Sequence, residues 1–209
     1  MKKDLAELVF IVDRSGSMSS IASDMEGAIK SVLKEQKEAK EKELLVTFVR
    51  FDTEYEKLFS SAPIDTVDDI EISPRGATAL LDAMGKTINS FERKFSETDE
   101  KERPEKVLFI IITDGEENSS CEYSKNQVFE IIEKAERDHD WNFTFIGANQ
   151  DSIQEAGSLG IRSGNTMNFA PSSKGIRGMG NSLSCYATSY FADEKATYSD
   201  EDRDASMEE

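Results

Sequence analysis

Two hydrophobic rhythms alternate along the chain. Leu8 to Val12 is an unbroken apolar run rich in β-formers, which predicts a strand buried on both faces. After a polar loop, Ile21, Met25, Ala28, Ile29, Val32 and Leu33 recur at helical intervals and mark one apolar helix face. Leu44 to Phe51 reads as a second strand. The link through Asp52, Thr53 and Glu54 is too short for a parallel crossover, so Tyr55 to Phe59 is predicted as a short antiparallel strand. The stretch from Pro63 to Pro74 is irregular and acidic. Leu80, Leu81, Met84, Ile88, Phe91 and Phe95 outline a second helix, and 97–105 is a charged loop. Val107 to Ile112 is the strongest strand signal. Ser124 and Gln127 have capping-box spacing ahead of a third helix carrying Val128, Ile131, Ile132 and Ala135. Asn142 to Gly147 reads as a strand, Asp151 to Leu159 as a short helix and Asn165 to Phe169 as a weak strand. Ile176, Met179, Leu183 and Ala187 predict a final helix.

Strands alternating with helices predict an α/β fold: a mostly parallel central sheet, one antiparallel edge strand and helices on both faces. At 209 residues a single domain is expected, placed at 1–192. The remaining stretch, 193–209, has eight acidic and two basic residues and few apolar ones, so it is expected to be a disordered or fraying tail.

Composition narrows the function classes. Lys and Arg total 25 against 42 Asp and Glu, a net charge of −17. Such a balance argues against nucleic acid and against anionic membranes, both of which need basic patches. No run approaches the roughly 18 apolar residues of a membrane span. The apolar stretch behind Lys2 and Lys3 ends at Asp13, too soon for a signal peptide. Cys121 and Cys185 make neither a disulfide framework nor a zinc set, and a cytoplasmic setting is expected. One histidine, His139, leaves little room for Ser-His-Asp catalysis. It is expected at the amino edge of the sheet as a surface or capping residue.

Ligands in such folds bind beyond the carboxyl ends of the strands. Asp13-Arg14-Ser15-Gly16-Ser17 follows the first strand, Thr113-Asp114-Gly115-Glu116-Glu117 follows the strongest one, and Gly76-Ala77-Thr78 precedes the second helix. Two carboxylates and three hydroxyls are thereby offered on one edge. An all-oxygen set suits a hard divalent cation, Mg²⁺ first, with Mn²⁺ or Ca²⁺ as substitutes. Asp13, Ser15 and Ser17 stand at alternate positions, and Gly16 lets the loop between them turn tightly. The competing reading makes Ser15, Ser17 and Thr78 ordinary helix caps.

These three motifs, in this order and in these segments, resemble the von Willebrand factor A domain family and its metal-ion-dependent adhesion site. The resemblance extends over about Leu5 to Phe191, and includes stand-alone bacterial and phage-type members. It implies a Rossmann-like domain that holds Mg²⁺ through Asp13, Ser15, Ser17, Thr78 and Asp114. It further implies a protein partner whose Asp or Glu completes the metal's coordination. By family analogy that partner is an ATPase or a chelatase-like protein; the sequence does not choose.

Asp52, Glu116, Asn118 and Asn149 also follow strands, so each is a candidate for tuning the metal or touching the partner, against a plain solvated role. Arg14 either pairs with an acid on the partner or faces solvent. No nucleophile–base pair is evident, and a binding module rather than an enzyme is expected. Two alternatives stand beside it. One is a Mg²⁺-dependent phosphoryl hydrolase or transferase using Asp13, although Ser15 occupies the position where a second acid would be wanted. The other is a scaffold subunit with no metal role.

Overall fold

The computed structural model describes residues 1–39, 42–148 and 152–209. Six strands form one sheet: β1 (Lys2–Asp13), β2 (Glu43–Phe51), β3 (Tyr55–Pro63), β4 (Pro104–Thr113), β5 (Asn142–Gly147) and β6 (Thr166–Asn168), in the order β3-β2-β1-β4-β5-β6. Every neighbouring pair is parallel except β2 and β3, as the three-residue link demands. The helices are α1 (Ala22–Ala39), α2 (Leu80–Glu97), α3 (Lys125–His139), α4 (Ser152–Ser158), α5 (Ser173–Phe191) and α6 (Asp200–Ser206).

Side-chain alternation along β1 divides the core into two layers. Ala6, Leu8, Phe10 and Val12 face α1 and α5, meeting Met25, Ile29 and Val32 on one helix and Ile176, Met179 and Leu183 on the other. Val9 and Ile11 face the opposite way, onto Leu80, Met84 and Ile88 of α2 and Val128 and Ile132 of α3. Helices thus cover both faces, and the central strands are apolar on both sides for that reason. Trp141 packs edge-on against Phe91 and Phe95 at the amino edge. His139 stacks on it, with ring centroids 4.6 Å apart, and pairs with Glu92.

Three elements differ from the sequence expectation. β1 starts well before Leu8. Glu7 interrupts the apolar run, yet it is buried within the strand, where Thr47 and Ser61 donate to its Oε1 at 2.7 and 2.6 Å and Lys94 pairs with Oε2. β3 runs on to Pro63 through register shifts opposite β2, with Ser61 in the left-handed region at φ 49°.

The acidic stretch expected to fray is instead ordered. Tyr198 is buried, stacks on Tyr186 at 4.7 Å and shares a 2.8 Å hydrogen bond with Thr144. Ser199 and Asp202 form a capping box that starts α6. Arg203 donates to the Thr166 and Ser163 carbonyls, and the Ser206 hydroxyl to Asn168 O, so the segment closes the outer edge of β6. A Cβ on Gly178 would run into the Ala205 carbonyl, so the small residues of α5 are what admit α6. Among the described residues, no helix is long and apolar enough to cross a membrane.

Candidate metal centre

The strand order reverses direction between β1 and β4, and the crevice that opens beyond their carboxyl ends is where such sheets bind ligands. Asp13 ends β1 and Thr113 ends β4. The Asp13 carboxylate accepts the Ser15 amide at 2.6 Å through Oδ1, which folds the loop back over its own side chain. Through Oδ2 it accepts the Thr113 hydroxyl at 2.7 Å, which ties it to the neighbouring strand. A 3₁₀ turn over Gly16–Ser20 follows, anchored by buried Met18 and closed by Ser19 donating to Gly16 O.

Three of the oxygens then join in a line. Ser17 donates to Asp114 Oδ1 at 2.6 Å, and Ser15 Oγ lies 3.0 Å from Ser17 Oγ. Since the Ser17 proton goes to Asp114, Ser15 is left to donate to Ser17. Thr78 arrives from a different loop. Its amide donates to Asn118 Oδ1 at 3.0 Å, while its carbonyl accepts the Asn118 and Ser119 amides. Gly115 locates the point of convergence. A Cβ built there would lie 3.1 Å from Thr78 Oγ1, 3.4 Å from Ser17 Oγ and 3.7 Å from Asp13 Oδ2. Two segments, the Asp13–Ser17 loop and the loop before α2, therefore direct oxygens at one small volume, and the third passes it as a glycine because a side chain would intrude.

The capping alternative fares poorly. Ser15 makes no side-chain cap bond to the 3₁₀ turn, and α2 is preceded by Ala79, not Thr78, again with no such bond. Instead α2 is capped from the 117–120 loop: Glu117 accepts the Leu81 amide at 2.9 Å, and Ser120 accepts the Asp82 amide. Asp82 in return accepts the amides of Cys121, Glu122 and Tyr123. This exchange fixes the β4–α3 loop on α2 and thereby sets Asn118 against Thr78. The sequence reading placed Thr113, Gly115 and Glu117 in the strand-end motif without a role of their own, and it did not single out Asp82. A strand-end hydroxyl and a glycine beside Asp114 were the only local signals.

Burial pushes the Asp13 carboxyl up to about 6, despite the hydrogen bonds from Thr113 and Ser15 that pull it down. Asp114 is likewise raised by burial, with the Ser17 hydroxyl opposing. Both carboxylates carry a desolvation penalty that a cation would relieve. The donor set, two carboxylates with three hydroxyls, is all hard oxygen and fits Mg²⁺, Mn²⁺ or Ca²⁺. Among the described residues no group of three or more His, Cys, Asp or Glu is placed to hold a metal, so the fit depends on the hydroxyls.

Two flanking residues lose the solvated alternative. Arg14 does not face solvent: it is 2% exposed, with Nη1 2.7 Å from Glu56 and Nε 3.2 Å from Asp52 Oδ2. Asp52 is not a solvated loop residue but 1% exposed, with Arg75 Nε at 2.7 Å. Buried opposite charges at these positions lie against one another, out of solvent. Glu116 is exposed at the rim of the site, and Asn118 is exposed while bracketing Thr78. Asn149 lies outside the described residues.

A family model of the von Willebrand factor type A domain matches residues 7–176. No curated protein matches the chain by sequence. Among solved structures, proximal thread matrix protein 1 (PTMP1) from the mussel byssus is similar with a TM-score of 0.60 at 15% identity, over 88% of this chain and 46% of that one. The PilB minor pilin from Streptococcus sanguinis is similar with a TM-score of 0.60 at 13% identity, over 89% of this chain and 62% of the pilin. The chain thus spans less than two thirds of either protein, and at these identities the likeness is one of fold alone.

Proposed function

The chain belongs to the von Willebrand factor type A domain family, and from that membership we propose that it is a protein-binding module whose contact with its partner depends on a divalent cation. Asp13, Ser15, Ser17, Thr78 and Asp114 hold the ion, directly or through water, and Mg²⁺ is the first candidate. The observation that carries this reading is the convergence of Thr78, Ser17 and Asp13 oxygens on the volume beside Gly115. When bound, the ion supplies an electrophilic position that an outside carboxylate can fill. The chain's own residues orient the hydroxyls, bury Asp13 away from competing water and leave the rim at Glu116 and Asn118 open. The partner is a protein presenting an Asp or Glu.

A phosphoryl-transfer role has less behind it. Ser15, two residues after Asp13, is engaged with Ser17 and offers no acid. A reducing compartment suits Cys121 and Cys185, both exposed thiols without a disulfide.

Calorimetric titration of Mn²⁺ into chelator-treated protein tests the reading. We expect one saturable site, absent in Asp13→Ala, and a bound partner that EDTA releases. A wild-type protein with no saturable site, or a partner retained equally by Asp13→Ala, overturns it.

A further inference from the structure

Thr78 and the Asp13–Ser17 loop are far apart in sequence, and something must set the distance between them. We propose that Asp52, acting through Arg14 and Arg75, is the positioning residue that holds these two loops in register for the cation; the inference rests on the reading above.

Asp52 stands just past β2, the strand beside β1, and reaches both loops. Its carbonyl accepts the Ala79 amide at 3.1 Å, next to Thr78. Its Oδ2 receives Arg75 Nε at 2.7 Å and lies 3.2 Å from Arg14 Nε, between Asp13 and Ser15. The loops also join directly, with Arg75 N donating to Arg14 O at 2.7 Å and Gly16 N to Gly76 O at 3.1 Å. Gly76, at φ 69°, lies flat on the Asp52 side chain, where a Cβ would come 3.2 Å from the Asp52 Cβ. None of these contacts uses a side-chain oxygen of the five ligand candidates, so Asp52 shapes the cage without entering it.

Charge matters here as well as shape. Arg14 Nε and Nη2 make no aligned hydrogen bond, so this buried guanidinium is held by the carboxylates of Asp52 and Glu56 around it. Removing the Asp52 charge leaves a less compensated cation one residue from Asp13, and that repels a divalent ion. Loosening the cage also erodes discrimination by size. Mg²⁺ demands near-ideal octahedral geometry, whereas Ca²⁺ accepts irregular sites.

The test compares wild type, Asp52→Asn, Arg75→Ala and Glu7→Gln in calorimetric titrations with Mn²⁺, Mg²⁺ and Ca²⁺, alongside thermal unfolding in EDTA. Arg75 is half exposed, so its variant stays folded even where Asp52→Asn does not. Glu7→Gln breaks a buried pair at the opposite edge of the sheet and controls for general destabilisation. We expect Mn²⁺ affinity to fall about tenfold or more in Asp52→Asn and severalfold in Arg75→Ala, with all five ligands intact. The Mg²⁺ to Ca²⁺ affinity ratio should shift toward Ca²⁺, and Glu7→Gln should bind like wild type. Folded Asp52 and Arg75 variants within about twofold of wild type, with no shift in that ratio, overturn the positioning role while the metal site stands. The same loss in Glu7→Gln also overturns it, as a mere stability effect. A wild type that binds no cation removes the metal reading and this inference together.

Discussion

At the scale of single residues, Gly115 separates the needs of the fold from those of the site. Its backbone does not sit at positive φ, so alanine costs it no conformational strain, and loss of unfolded-state entropy favours the substitution. The new methyl, however, would stand within 3.1 Å of Thr78 Oγ1 and 3.4 Å of Ser17 Oγ, inside the volume proposed for the cation. Gly115→Ala should therefore leave unfolding in EDTA within about 1 kcal/mol of wild type, and slightly raised if anything. It should also weaken Mn²⁺ binding by at least about tenfold. Urea unfolding and calorimetry on one preparation check both halves, and unchanged Mn²⁺ affinity would place the ion elsewhere. The five ligand candidates were readable because each lies in a short loop at a strand end or before a helix, where local order fixes the edge. The burial of Arg14 and Asp52 was not. Whether a charge at a strand end meets water depends on Glu56 and Arg75, which the fold brings in from β3 and from the loop before α2.

At the scale of elements, hydrophobic period was the dependable signal. The helix faces read from Met25, Ile29 and Val32, or from Met84, Ile88 and Phe91, are the faces that pack. The Ser124–Gln127 box forms as its spacing requires. Mixed composition hid the rest. Glu7 masked the start of β1 because its partners come from β2, β3 and α2, and the acidic residues of 193–209 masked α6. The segment is held by few but well-placed groups: one buried aromatic, one arginine on edge carbonyls and the glycine face of α5. Removing the aromatic should then be expensive. Tyr198→Ala loses the stack on Tyr186 and the hydrogen bond to Thr144, and should destabilise the fold by roughly 3–5 kcal/mol in urea unfolding. Since α6 closes the β6 end of the sheet, Mn²⁺ affinity of the folded variant should be unchanged. A loss below about 0.5 kcal/mol, the range of ordinary surface substitutions, would return the segment to the status of a fraying tail.

At the scale of the whole molecule, the net charge of −17 acts through distance. A cation approaching the crevice feels the summed field, and so does an acidic partner, which is repelled until its carboxylate engages. A partner suited to this surface therefore carries a basic rim around the carboxylate it presents, and its association should slow as salt is raised. Geometry decides which charges count. The site lies at β1 and β4, and α6 lies beyond β6, three strand spacings from β1, or roughly 14 Å or more. Salt of about 0.15 M screens beyond about 8 Å, whereas about 0.01 M leaves interactions intact to about 30 Å. Asp200, Glu201 and Asp204 thus contribute to cation capture only at low ionic strength. Neutralising Asp200, Glu201 and Asp204 to Ser should weaken Mn²⁺ binding measurably at about 0.01 M salt and leave it unchanged at about 0.15 M. Asp202 is kept because it forms the cap of α6. Titrations at the two salt concentrations check this, and an effect that persists undiminished at the higher one would mean that α6 acts on the site through contact rather than through field.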